Sequence, residues 1–391
     1  MTDTPPTPRK RGRPKGSKSK NVTSEKVEVG LFDLASANGD SALRGKNPHI
    51  NVLDSAPVPT TVFDTYWRFA CERQSLFFNK IRRPNLPSWT DDPILRKHKF
   101  TNAYRASDRV SQYLIRKVIY CSDTWLHRPE EVFFRTILFK FFNKIETWEL
   151  LEKQFGTINW AEYDFERYDA VLTRSIESGQ AIYSPAYIMP SGRSAFGHER
   201  KHRNHLMLLE KMMADRLPSR LHQENPPLSE VFSAIRTYPG IGNFLAYQYS
   251  IDLNYSNLIN RSEDEFVAPG PGALDGISKC FSSIGSYSPS DVIRYTKDQQ
   301  EDVCNRLGIS FLDMWGRPLH LIDCQNLFCE VDKYARVRHP EFKGQSDRSR
   351  IKQIYRPSIG LIDYFFPPKW GINERVAQDP GYLNHASSVR G

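Results

Sequence analysis

Arg11-Gly12-Arg13-Pro14 sets two guanidinium groups on either side of a residue with no side chain. Gly12 lets the backbone approach the floor of a narrow groove, while Arg11 and Arg13 can run along it in opposite directions. Narrow A·T-rich minor grooves concentrate the negative potential that draws arginine in. Pro14 restricts the backbone and lowers the ordering cost. The flanking Arg9, Lys10, Lys15 and Lys18 suit phosphate contacts, which weaken steeply with salt. This is the core of an AT-hook over residues 9–18, and the partner it implies is double-stranded DNA. A nuclear-localisation signal or a merely solvated basic tail would need the same residues. A second segment, Pro239-Gly240-Ile241-Gly242, joins two stretches of helical character. Gly240 and Gly242 would let the hairpin backbone come close to a phosphate, and the helix that follows would offer free N–H groups at its positive end. The pattern is that of a helix–hairpin–helix; an ordinary tight turn between helices is the plainer account.

Other groups stand at spacings that catalysis or metal binding uses. Arg105 and Asp108 lie three apart, as do Glu330 and Lys333; on one helical face such pairs are also simple ion pairs. Cys324 and Cys329 have His320 and His339 as flanking neighbours, but the second close-spaced pair of a structural zinc site is missing, so no metal is expected. His198 and His202 lie four apart, as in helical metal sites. They alternate with Arg200, Lys201 and Arg203, and this stretch, which also holds His205, is expected to form a basic face near DNA. No Gly-x-x-x-x-Gly-Lys-Ser/Thr loop occurs, which argues against P-loop phosphoryl transfer.

The elements that must position these groups are helical. Apolar residues recur at helical spacing over 61–81, over 101–121 through Tyr104, Val110, Tyr113, Leu114 and Val118, and over 130–153. Further helices are predicted at 159–177, 196–215, 228–236, 242–253, 272–283, 288–306 and 321–337, with no convincing strand alternation. Tyr104, Tyr113 and Tyr247 are expected in the core rather than as stacking platforms. The fold class is therefore mainly α, a helical body over 59–372 in one or two lobes. Residues 1–58 are polar and poor in aromatics, and are expected to be a disordered basic tail; residues 373–391 are expected to be a flexible tail. Of the net charge of +9, residues 1–20 carry +6, from seven basic residues and Asp3. The body is close to neutral. Six scattered cysteines form no disulfide framework, and no apolar run is long enough for a membrane span. With no signal peptide in view, the expectation is a soluble protein of a reducing compartment: the nucleus in a eukaryote, otherwise cytoplasm and nucleoid.

As far as the hairpin, the chain resembles the helical DNA glycosylases, which implies a glycosylase-like body. Those enzymes follow the hairpin with a catalytic aspartate some twenty residues on. Here that place holds Phe266-Val267-Ala268-Pro269-Gly270-Pro271-Gly272-Ala273-Leu274-Asp275. Glu263, Asp264, Glu265 and Asp275 lie nearby outside the glycosylase context, and the four-cysteine iron–sulfur spacing is absent.

Four segments together resemble one family more closely: Phe100-Thr101-Asn102-Ala103-Tyr104-Arg105-Ala106-Ser107-Asp108-Arg109, the Pro239–Asp252 hairpin, Gly270-Pro271-Gly272-Ala273 with Gly276-Ile277, and Cys329-Glu330-Val331-Asp332-Lys333-Tyr334. They are similar to the helical proteins of thymine hypermodification systems, the α-glutamyl/putrescinyl thymine pyrophosphorylases and the helical domain named after 5-hydroxymethyl-deoxyuridine DNA kinases, over roughly residues 60–370. The resemblance implies action on 5-substituted uracils in DNA, derived from 5-hydroxymethyluracil, as a transferase that replaces a phosphorylated group with an amine or amino-acid co-substrate. No cofactor is implied. A base flipped from the stack would enter a pocket. Arg105 with Arg109 or Lys333 would bind phosphate, Asp108, Glu330 or Asp332 would act as base or orienter, Asn102 and Gln248 would read the base edge, and the Gly270 and Gly272 loop would border the substrate. The same scaffold would serve a non-catalytic reader of modified bases, or a DNA glycosylase.

Overall fold

The computed structural model describes residues 55–356 and 362–382. The Arg11-Gly12-Arg13-Pro14 segment lies outside the described residues. The body is mainly helical, as expected, with one two-stranded ribbon in which Val58–Pro59 pairs antiparallel with Phe281–Ser283. None of the described helices is long and apolar enough to cross a membrane.

Three helices form the centre: Thr61–Arg82, Pro271–Cys280 and Leu321–Arg338. Thr60 starts the first by accepting the Val62 N–H, and its hydroxyl donates to the Lys279 carbonyl at 2.6 Å. That helix buries Val62, Phe63, Tyr66, Trp67, Phe69, Ala70 and Phe77, a stripe at the 3- and 4-residue spacing of one face. The other two helices approach so closely that a Cβ on Gly276 would run into the Phe328 carbonyl oxygen. The obstacle is backbone and cannot swing aside. Gly276→Ala is therefore expected to destabilise the protein by about 1–3 kcal/mol, read as a lower urea midpoint.

Several expected helices break where the backbone is diverted. The 130–153 stretch becomes Pro129–Phe142 and Ile145–Phe155, because Asn143 turns left-handed (φ +48°) and its side chain accepts from Lys140 at 2.7 Å. The 288–306 stretch divides at Gln299 into Pro289–Asp298 and Gln300–Leu307. The larger departure is at 101–121. Phe100–Tyr104 has no helix; a 3₁₀ turn at Arg105–Ser107 leads into Arg109–Tyr113 and a π-helical turn at Leu114–Ile119. Its backbone groups are bound by side chains from elsewhere: Arg73 donates to the Thr101 carbonyl, Asn326 to the Asn102 carbonyl, and Glu330 accepts the Thr101 N–H. The described body is one compact unit rather than two lobes. The expected flexible tail instead opens with a helix, Asn373–Ala377, and its Asp379 is buried against Arg82 and the Trp315 N–H.

Candidate functional site

A cleft of about 870 Å³ opens beside the N-terminus of helix Pro271–Cys280. Its far wall is the central part of helix Leu321–Arg338, and its rim is the segment 347–353. Five cations line it, Lys333, Arg336, Arg348, Arg350 and Lys352, against the three carboxylates Glu330, Asp332 and Asp347. Gly270 caps the Pro271 helix with extended backbone, so the first free N–H groups of that helix face the same region. Gly272 lies against Cys329, and Phe244 packs on Gly270 so closely that a Cβ there would meet it at 2.7 Å.

Phe244 is one of a ring pair. It stacks on Tyr187 with centroids 5.5 Å apart and planes 14° apart. Tyr187 holds a left-handed backbone (φ +56°), which is costly for a bulky residue. Its ring reaches the Lys140 ammonium at 4.5 Å and the Arg105 guanidinium at 5.9 Å. The hairpin leads straight into this pair. Helix Leu228–Arg236 ends before it, Gly240 takes φ +77°, and Gly242 caps helix Asn243–Asn254. Tyr238 and Ile241 are buried, whereas Gly240, Gly242 and Asn243 are exposed, so the turn lies open to solvent.

Beneath the rings lies a buried ion cluster. Arg105 donates from Nε to Gln248 at 2.8 Å, from Nη1 to the Tyr255 hydroxyl at 2.9 Å, and pairs through Nη2 with Asp252 at 2.8 Å. Lys140 meets the other Asp252 oxygen at 3.2 Å. Burial brings the Lys140 ammonium down to about 8, against the opposing pull of Asp252. The donors of Arg105 are thus engaged inside the protein, and it is 2% exposed. That corrects the expectation of a phosphate ligand: Arg105 and Gln248 frame the site from below. The expected Arg105–Asp108 pair does not form either, since residue 105 sits in the 3₁₀ turn and pairs with Asp252.

A second polar web joins the 100–108 segment to the cleft. Asp108 is half-buried and accepts the Asn102 N–H at 2.8 Å. Burial pushes its carboxyl up to about 7; the Asn102 bond and Arg73 oppose the rise, and Glu330 adds to it. Arg73 donates to the Asn102 side-chain oxygen at 2.5 Å, and Asn102 in turn donates to the Ser107 carbonyl. Glu330 pairs with Lys333 at 2.5 Å, as the spacing suggested. Asp332 is held between Lys279, at 2.8 Å, and Arg336, with both Lys279 and Asp332 2% exposed. Its carboxylate is fixed in place, which corrects its expected role as base. Arg109 is exposed and does not line the cleft.

Other expectations move as well. His202 and His205 are each 1% exposed, so they form no basic surface: His202 meets Asp169 at 2.8 Å, and His205 meets the Tyr183 hydroxyl and the Pro190 carbonyl. Burial lowers the His205 imidazole to about 4. Cys324 is buried beside Tyr66, and among the described residues no three His, Cys, Asp or Glu gather as a metal site would need. The carboxylates of 263–275 are occupied elsewhere: Glu263 by Arg317, Asp264 by Lys297, Glu265 by the Leu228 N–H and Asp275 by Ser346. None of them lines the cleft.

Sequence reasoning missed Arg73, Lys140, Asp252, Tyr187 and the cations of 348–352. Arg73 falls on the buried stripe of its helix between Phe69 and Leu76, Lys140 interrupts an apolar run from Ile137 to Phe142, and Asp252 lies within Tyr249–Leu253. A lone charge inside an apolar pattern was the available signal, because such residues are buried only when paired.

A family model described as 5-hmdU DNA kinase, helical domain, matches residues 60–344. A curated protein of Bacillus phage SP10 named 5-hmdU DNA kinase is 26% identical over 287 residues, which is 70% of this chain and 45% of that protein. The chain spans less than half the length of this curated relative. No solved structure matches significantly.

Proposed function

The chain belongs to the family of the 5-hmdU DNA kinase helical domain, and from this premise we propose that it processes 5-hydroxymethyluracil-derived bases in DNA. The finer reading is a substitution. An amine or amino acid attacks the exocyclic carbon of a 5-phosphomethylated or pyrophosphorylated base; a C–N bond forms, the C–O bond breaks, phosphate or pyrophosphate leaves, and the amine proton passes to a carboxylate. Asp108 is the acceptor, and the observation that carries this reading is its half-buried carboxyl, raised to about 7 by burial with a contribution from Glu330, which itself lines the cationic cleft. Lys333 and Arg348, with the free end of helix Pro271–Cys280, receive the leaving group. Glu330 and Asn102 position substrate and base, and Tyr187 and Phe244 offer a stacking face to a flipped base. The exposed turn at Gly240 and Gly242 grips the DNA backbone, and Arg11, Gly12, Arg13 and Pro14 tether the protein to A·T-rich minor grooves. Phosphoryl transfer of the P-loop kind is not part of the reading, because the chain has no such loop.

A non-catalytic reader is the second reading, favoured by the ion pairs that already occupy Glu330 and Asp332. The test is mass spectrometry of nucleosides from DNA containing 5-hydroxymethyluracil, 5-phosphomethyluracil or thymine, incubated with the protein plus amino acids and polyamines. A new nucleoside mass is expected from the phosphomethylated DNA, absent with heat-denatured protein and reduced with Glu330→Gln. Unchanged nucleosides alongside selective binding of one modified DNA would leave only the reader.

A further inference from the structure

A second cavity, about 310 Å³, lies on the other side of Arg73 and shares no lining residue with the cleft. Its walls are the rings of Trp89, Phe100 and Tyr355 with Leu76, Pro87 and Leu95. Its charged lining is entirely basic: Arg73, Lys80 and Arg96, with His98 alongside and no carboxylate. Arg73 is 8% exposed, and its Nη1 has no hydrogen-bond partner among the described residues, although Nε and Nη2 are bound to Thr101 and Asn102. The His98 Nδ1 and the Tyr355 hydroxyl are also buried without a partner there. Lys80 lies 5.1 Å from the Trp89 ring and 4.9 Å from the Tyr355 ring. Burial, aided by Arg73, brings its ammonium down to about 8.

Buried donors left without acceptors are costly, and so are like charges converging on a cavity that no carboxylate lines, since Asp108 and Glu330, which act on Arg73, lie outside it. A bound anion relieves both. Size and walls narrow the class further, since a cavity at the small end of ligand pockets with three aromatic walls favours an apolar body. We propose that this cavity is a binding site for a small organic anion, a single phosphate or carboxylate on an apolar or aromatic body, held by Arg73 Nη1, Lys80 and Arg96 between Trp89 and Tyr355. The site is separate from the base-modification reading and stands or falls without it.

The test is isothermal titration calorimetry of the full chain with phenyl phosphate, benzoate, inorganic phosphate and benzyl alcohol, with tryptophan fluorescence as a second signal. Saturable binding of phenyl phosphate or benzoate is expected, and which of the two binds more tightly identifies the head group. Benzyl alcohol should bind at least about tenfold more weakly, and Lys80→Gln and Arg96→Gln should each weaken the anion by a comparable factor, as loss of one charged hydrogen bond would. Both substitutions are at partly or fully exposed positions, and thermal melting monitored by circular dichroism verifies that they fold. The proposal is overturned if no aromatic anion binds saturably, if benzyl alcohol binds as tightly as the anions, or if folded Lys80→Gln and Arg96→Gln both bind as the parent does.

Discussion

Asp252→Ala should unfold at a far lower urea concentration than the parent, with a loss of about 3–5 kcal/mol. The carboxylate is 0% exposed and is the shared partner of Arg105 at 2.8 Å and Lys140 at 3.2 Å. Without it, two cations remain in a site that water does not reach. Lys140 has an escape, because burial already brings it to about 8 and it can shed its proton. Arg105 has none, since a guanidinium does not deprotonate in a protein. The penalty therefore falls on Arg105, and removing that charge should relieve it: Arg105→Met/Asp252→Leu should recover a large part of the loss. A double variant as unstable as the sum of the two single ones would refute this account and place the cost in packing alone.

Asp108→Asn is expected to lower the rate of base substitution by about 10²–10⁴, the usual worth of a general base. The pH dependence separates this role from a structural one. Only the ionised carboxyl accepts a proton, and burial sets its midpoint at about 7. The parent rate should therefore rise as pH increases through about 7 and level off above it, and the asparagine variant should lose that limb. Asn retains an oxygen to accept the Asn102 N–H, so helix content and the thermal midpoint should change little. Single-turnover rates between about pH 5 and 9 decide the matter; an unaltered limb in the variant would assign the titration to another group.

The helices were legible wherever a face stays apolar for several turns, as in Thr61–Arg82, Leu228–Arg236 and Leu321–Arg338. Their interruptions were not. Asn143 and Gln299 are residues that helices tolerate, and only their surroundings stop the helix there. The segment 100–108 shows the same limit more strongly. Its apolar spacing fits a helix, yet side chains more than 25 residues away claim its backbone groups: Arg73, Asn326 and Glu330. Periodicity registers burial and is blind to such competition. For the site, the resemblance brought out Glu330 and Lys333, which line one cleft, and Asp108, whose carboxyl feels the charge of Glu330. It also brought out Arg105 and Asp332, whose charges the fold encloses. Residue type alone could not separate the two groups, because burial is decided by partners remote in sequence, Asp252 for Arg105 and Lys279 for Asp332.

The two ion clusters share a stoichiometry. Arg105 and Lys140 face one carboxylate, and Lys279 and Arg336 face another. While Lys140 keeps its proton, below about pH 8, each is a source of about one positive charge, the first enclosed in a medium of low polarisability and the second reaching the cleft through Arg336. Mobile ions reach the cluster of Arg105, Lys140 and Asp252 poorly, so its field is screened far less than that of surface lysines. On the proposed reading that the protein holds DNA, its attraction to that polyanion then has two components: a surface one that added salt removes, and an interior one that outlasts it.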